Sequence, residues 1–224
     1  MDISPDQVRK AIVSVIAFVL CVSVHEFGHA WMANRLGDRL PASQGRLTLS
    51  PLAHIDLIGT ILMPLVAALA PGGFPFIAWG KPVQTNPANY TATRLSRRMG
   101  HVLVSLMGPA MNLLMALLIS VVLVVAAHVG TLPATLVEGA ITYFLVLNLM
   151  LMFFNLLPLP PLDGGAVLAG LLPESMQTVP RFLQRYGVIL FFVLLMSGAM
   201  RVLMRPVSIL AGVWVEALLR LMAR

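Results

Sequence analysis

The chain has 224 residues, 58% hydrophobic and only 11% charged, with a mean hydropathy of +0.89 and a formal net charge of +6. Soluble domains carry about 25% charged residues, which excludes a soluble globular enzyme or a disordered chain as the leading description. The basic balance fits Lys and Arg gathered in the cytoplasmic loops of a membrane protein, and without a long basic run it does not indicate a nucleic-acid partner. Asp, Glu, Lys and Arg are absent from 57–80, 99–137 and 139–162, runs of 24, 39 and 24 residues. A bilayer core takes roughly 20 apolar residues per helix, so each run is long enough to cross. The expected fold is an all-α polytopic membrane protein, a helical transmembrane bundle in one domain over 1–224. Its core is placed at about 9–172, with further apolar segments at about 180–222.

In chain order, residues 1–10 hold two acids and two bases (Asp2, Asp6, Arg9, Lys10), unlike the start of an ordinary signal peptide. The first helix is expected from about Arg9 to Asn34, with Gly37 as its stop. Cys21 is the only cysteine, so no internal disulfide exists, and it reads as a small buried hydrophobe. Residues 40–56 alternate in short stretches broken by Pro and Gly, which predicts a small strand element at the membrane edge. Within it, 43–50 would offer an edge for an extended chain to pair with. A helix over 57–71 is limited by Pro64 and by Pro71-Gly72-Gly73, and an irregular loop follows over 72–93. Spans are expected at 98–128 and 134–157, a broken stretch at 158–165, and apolar segments at 182–200 and 206–222. Positive-inside logic places Arg35, Arg39 and Arg46, and also Arg94, Arg97 and Arg98, in the cytoplasm, so 57–80 must return rather than cross once.

Two acids stand where an apolar stretch should have none, and an ionisable group there is a functional candidate by default. They are Glu26 and Asp163. A third, Glu138, sits near a helix start and reads as a favourable dipole partner. Glu26 belongs to His25-Glu26-Phe27-Gly28-His29, an HExxH motif. Chance at this composition gives ~0.002 occurrences. Residues four apart share a helix face, so His25 and His29 can direct their imidazoles at one metal ion. Glu26 beside them can take a proton from an activated water and return it to a leaving amine. The plainer alternative is a pair of interior histidines hydrogen-bonded between helices. A His₂-carboxylate set with one open position suits hydrolytic Zn²⁺, one ion per chain, although Fe²⁺ shares the ligand type.

Asp163 is the best candidate for the third ligand. It follows Asn155-Leu-Leu-Pro-Leu-Pro-Pro-Leu and precedes Gly164-Gly165. Pro158, Pro160 and Pro161 cannot continue a helix, and the glycines permit unusual backbone angles. Irregular backbone at membrane depth is tolerated only where protein or a watery cavity satisfies it. An unwound segment facing an internal polar site is therefore expected, with an ordinary loop and an exposed Asp as the alternative. Ser23, Gly28 and Asn155 are small or polar residues that would leave room for water. His101 and His128 lie near helix ends, where interfacial placement is expected. The 14 Met residues are read as packing or lipid-facing.

These residues resemble the site-2 protease family of intramembrane zinc metalloproteases, in its small members without PDZ or CBS domains. HEFGH matches the family's HExxH, NLLPLPPLDGG its LDG segment, and Gly108-Pro109-Ala110-Met111-Asn112 its GPxxN helix opening. LSPLAHIDLIGT and WGKPVQTNPANY resemble stretches of the small members. The likeness runs over roughly 15–170. It implies zinc held by His25, His29 and Asp163, Glu26 as general base, and a partner that is a membrane-protein substrate cut in or near its transmembrane helix. It also implies that Asn155 helps engage extended substrate, and makes His54 and Asn112 further candidates for contact near the site. An interhelical hydrogen-bond anchor is the other reading of Asn112. The expected location is a bacterial inner membrane, with the active site toward the cytoplasm. The competing readings are a metal-binding membrane transporter and a non-catalytic scaffold.

Overall fold

The first helix begins where its amides are best capped. Ser4 Oγ accepts from the Gln7 amide at 3.2 Å and the Gln7 side chain accepts from the Ser4 amide at 2.9 Å, a reciprocal pair that satisfies two otherwise orphaned donors. The chain is seen in a computed structural model that describes residues 4–69, 78–130, 133, 136–137, 139 and 141–223. Helix α1 runs Pro5–Arg35 and ends before Gly37, whose φ of +107° is open to glycine at little cost. The sequence expectations at Glu138 and at Pro71-Gly72-Gly73 fall outside the described residues.

No strand occurs among the described residues, and the strand expected in 40–56 is replaced by a short helix α2 (Leu40–Ser43) and a single 3₁₀ turn (Pro51–Ala53). Pro41 occupies the first turn of α2, where its missing amide costs nothing. The following chain is folded in on itself: Arg46 is buried, with its guanidinium donating to the carbonyls of Ala53 and Lys81. Residues 43–50 form no strand.

A π-helical stretch Leu57–Leu62, capped by the Asp56 carboxylate on the amides of Ile58 and Gly59, leads into α3 (Met63–Leu69). When the described chain resumes it is back beside this start. The Trp79 amide donates to Gly59 O at 3.2 Å, Thr60 Oγ1 to Trp79 O at 2.8 Å, and the Lys81 amide to His54 O at 2.9 Å. The indole of Trp79 lies where a Cβ on Gly59 would be, 2.3 Å away.

Helix α4 (Arg97–Val129) is 33 residues long and packs against α1. A second π-helical stretch (Ile141–Leu145) opens α5 (Val146–Asn155). Residues 156–162 are non-helical, as the prolines require, and α6 starts at Asp163 (Asp163–Leu171). Three C-terminal helices follow: α7 (Thr178–Met196), α8 (Ala199–Leu203) and α9 (Arg205–Met222). Two apolar clusters hold this together. Ala116, Leu123, Leu145, Leu149, Ala211 and Leu218 join α4, α5 and α9, while Leu159 and Leu162 of the unwound segment bury against Phe191 and Met200.

Among the described residues three helices are long and apolar enough to cross a membrane: α1, α4 and α7. The outer face of α4 exposes Leu114, Leu117, Leu118, Val121, Val122 and Val125, an apolar surface of the kind water does not tolerate but lipid does.

Candidate metal centre

The HExxH helix is turned so that its histidines face α4 across a very short gap. At Gly28 a Cβ would stand 2.6 Å from Met107 O, and at Gly108 it would stand 2.4 Å from His29 Nε2 and 2.7 Å from His25 Nε2. Two glycines, one on each helix, thus make the space in which the imidazoles sit. Gly28 and Ser23 are consequently not an opening for water: Gly28 is filled by α4, and Ser23 is buried with its hydroxyl on Val19 O at 2.6 Å.

The outer ring nitrogens are fixed by acceptors. His29 Nδ1 lies 2.8 Å from Val104 O, and His25 Nδ1 lies 2.6 Å from Asn112 Oδ1. A carbonyl can only accept, so both Nδ1 atoms carry the proton and both Nε2 atoms are left as lone pairs. These two Nε2 atoms are 3.1 Å apart, and Asp163 Oδ2 lies 3.1 Å from one and 3.4 Å from the other. Asp163 Oδ2 is buried and without a hydrogen-bond partner among the described residues. Three acceptors thus converge on one point, and a proton can bridge only two of them at a time. A divalent cation satisfies all three, and donors around a tetrahedral zinc at about 2.0–2.1 Å stand about 3.3 Å apart. The donor set fits zinc. Among the described residues, His25, His29 and Asp163 form the only group of three such side chains within ligating distance of one another.

Asp163 reaches this point because the chain reverses tightly just before it. A Cβ on Gly164 would lie 2.3 Å from both Leu156 O and Leu157 O, and one on Gly165 would lie 2.6 Å from Pro160 N. The two glycines let the start of α6 nest against the unwound segment that precedes it. Arg98 of α4 donates to Ala169 O at 3.0 Å and ties the far end of α6 down.

Glu26 stands in the wall of the same cavity, which has a volume of about 760 Å³. Its Oε2 accepts from the Val83 amide at 2.9 Å. That amide is positioned by a loop locked onto the end of α1. Asp38, fully buried, accepts from the amides of Leu40 and Asn86 and from Asn89 Nδ2, and Tyr90 buries with Ala33, Leu36 and Val104.

Of the remaining sequence candidates, Asn155 lines the cavity and donates to Leu151 O at 3.0 Å. His54 and Asn112 are not on its wall. His54 is 1% exposed with Nε2 2.8 Å from Thr48 O, and Asn112 is fully buried behind His25. His101, near the start of α4, also lines the cavity, and its buried Nδ1 has no hydrogen-bond partner among the described residues. It lies on the same face of α4 as Ser105, Gly108 and Asn112, spaced by four, three and four residues, so this helix presents one stripe to the metal ligands. The C-terminal helices also contribute: Val188, Phe191 and Phe192 of α7 and Met204 close one side.

With this geometry the comparisons with known proteins agree. The profile described as "Peptidase family M50" matches residues 13–141 and 124–198. The chain belongs to peptidase family M50. This is the site-2 protease family, and the helical bundle of the described residues is consistent with an all-α polytopic membrane protein. Among relatives, "Putative zinc metalloprotease YwhC" of Bacillus subtilis (strain 168) is 37% identical over 187 residues, 82% of this chain and 80% of that protein. "Putative zinc metalloprotease Rip2" of Mycolicibacterium smegmatis is 32% identical over 191 residues, 84% and 68% of the two chains. The protein of that name from Mycobacterium tuberculosis (strain ATCC 25618 / H37Rv) is 33% identical over 187 residues, 83% and 67%. No solved structure matches the chain significantly. Membership in the family and the apolar helices make this an integral membrane metalloprotease, with zinc as its metal.

Proposed function

We propose that the protein is an intramembrane zinc endopeptidase that cuts peptide bonds in or near transmembrane segments of membrane-protein substrates, in regulated intramembrane proteolysis. We place it in a bacterial inner membrane with its site toward the cytoplasm. The observation that carries this reading is Glu26: a carboxylate tethered to the Val83 amide in the wall of the cavity that holds the three metal-ligating atoms. A transport site needs ligands but no tethered base beside them.

The chemistry follows from the side chains. His25, His29 and Asp163 would hold zinc, which when bound would supply Lewis-acid polarisation of water and of the scissile carbonyl. With Oε2 held by Val83, Glu26 has Oε1 left to accept the proton of the attacking water. A C–O bond forms at the peptide carbon, the C–N bond breaks, and Glu26 returns the proton to the departing nitrogen. Asn155 spends its amide N–H on Leu151 O and keeps its Oδ1 for the amide of an extended substrate. A transmembrane helix satisfies its own amides, so the substrate must unwind locally to offer its backbone to these groups. His101 stands in the wall of the same cavity.

Depth supports the placement. Arg35 lies six residues past His29 on α1, about 9 Å along a helix, and Arg98 lies ten residues before Gly108 on α4, about 15 Å. Both basic ends lie on the side nearer the metal site, as the positive-inside rule expects of the cytoplasmic face. The return of the chain from Gly59–Thr60 to Trp79 supports a re-entrant course for 57–80.

The test is reconstitution of the zinc-loaded protein in vesicles with single-pass membrane proteins. Cleavage is expected, lost when a chelator strips the metal and regained on adding Zn²⁺. Metal flux across the vesicle wall with no cleavage of any substrate would favour the transporter reading instead.

A further inference from the structure

One buried polar residue has no part in the chemistry just described, yet is linked to it. Asn148, in the first turn of α5, is fully buried in a helix whose other residues, Asn155 at its end apart, are apolar. Its Nδ2 donates to Phe144 O at 2.8 Å and to Cys21 Sγ at 3.1 Å, and its Oδ1 accepts from Asn112 Nδ2 at 2.8 Å. Asn112 Nδ2 also donates to Cys21 O at 3.2 Å, and Asn112 Oδ1 faces His25 Nδ1 at 2.6 Å.

Orientation along this chain is fixed by two carbonyls that can only accept. Phe144 O turns the Asn148 NH₂ its way and so the Asn148 oxygen toward Asn112. Asn148 Oδ1, at the shorter distance, and Cys21 O together hold the Asn112 NH₂, which turns the Asn112 oxygen toward His25. Faced with an oxygen, His25 carries its proton on Nδ1 and leaves Nε2 as a lone pair for the metal. The partner of a ligating imidazole commonly fixes its tautomer and ring orientation in this way. The unusual feature is a second amide behind the first, on a third helix, so that α5 acts on a ligand carried by α1 through a side chain of α4.

We propose that Asn148 is a positioning residue for the zinc site: sharing the Asn112 NH₂ with Cys21 O, it holds the Asn112 oxygen on His25 Nδ1, and so tunes the tautomer and orientation of His25 and the affinity for zinc. The inference rests on the zinc ligands and not on the proteolytic reading. The alternative role for a buried amide between membrane helices is adhesion, which affects stability alone.

Zinc affinity of the purified full-length protein, measured by competition with a chromogenic chelator, separates the two. Asn112→Leu is expected to weaken zinc by about 10-fold or more, in the range found for outer partners of metal ligands, and Asn148→Leu by about 3- to 10-fold. Because Asn148 acts through Asn112, the double variant should bind zinc as Asn112→Leu does, with no further loss. Cys21→Ala removes a contact of Asn148 but leaves Phe144 O to hold it, and should bind zinc normally. The proposal is overturned if Asn148→Leu lowers the melting temperature with zinc affinity unchanged, if the two leucine effects multiply, or if Cys21→Ala weakens zinc as much as Asn148→Leu. Should Asn148→Leu fail to fold, Asn148→Ser, too short to reach Asn112, carries the same expectations.

Discussion

Replacing Gly108 by alanine is expected to abolish zinc binding while leaving helix α4 intact. The added methyl would lie 2.4 Å from His29 Nε2 and 2.7 Å from His25 Nε2, where unbonded heavy atoms settle at about 3.5–4.0 Å. Those two nitrogens are the atoms that must face the metal, so any relief turns them away from it. The helix itself gains, since alanine is favoured over glycine in a helix interior by about 0.8–1.0 kcal/mol. The expected result is native helicity by circular dichroism together with zinc affinity lowered at least about 100-fold, beyond the effect of losing an outer partner alone. Zinc bound to Gly108→Ala at the native affinity would show that the two helices do not approach as closely as described.

The second large effect is at Glu26. Glutamine keeps the length of the side chain, and its carbonyl oxygen can still accept from the Val83 amide that now holds Oε2 at 2.9 Å. What it lacks is the capacity to take a proton. Glu26→Gln should therefore bind zinc with native stoichiometry and lose cleavage by about 10²- to 10⁴-fold, the range attributed to a positioned acid–base group. Measured together, metal content and single-turnover rate distinguish a lost base from a lost metal site. A variant that cleaves at the native rate would remove Glu26 from the mechanism.

Much of the site was legible in the sequence because lipid makes polar residues conspicuous. With three long charge-free runs, Glu26 and Asp163 stand out, and the four-residue spacing of His25 and His29 fixes one face of one helix. The unwound segment was equally plain, since Pro158, Pro160 and Pro161 leave the backbone no helical course. The strand expected in 40–56 was not there. Alternation of apolar residues is only a local preference, and in this chain buried Arg46, bonded to two carbonyls, folds the segment inward. Ser23 and Gly28 look like room for water in the sequence because a sequence does not say which face of α1 meets α4. For the same reason the place of His101 in the cavity wall is hidden, although its spacing to Ser105, Gly108 and Asn112 puts it on the metal-facing stripe. Asn148 does carry a signal in the sequence: an amide inside the charge-free run 139–162 needs a partner. The contribution of Phe191 and Phe192 was not readable at all, since it depends on α7 folding back over the core.

The central claim is the proposal that the peptide bond cut lies in or near the transmembrane segment of a membrane-spanning substrate. The measurement that reaches it most directly is the mass of both products formed from a single-pass protein in vesicles by the zinc-loaded protein, with Glu26→Gln as control. The masses are expected to place the cut inside the transmembrane segment, toward its cytoplasmic end, with no products from the control. Cuts confined to the water-exposed tails, or the same products from Glu26→Gln, would contradict it.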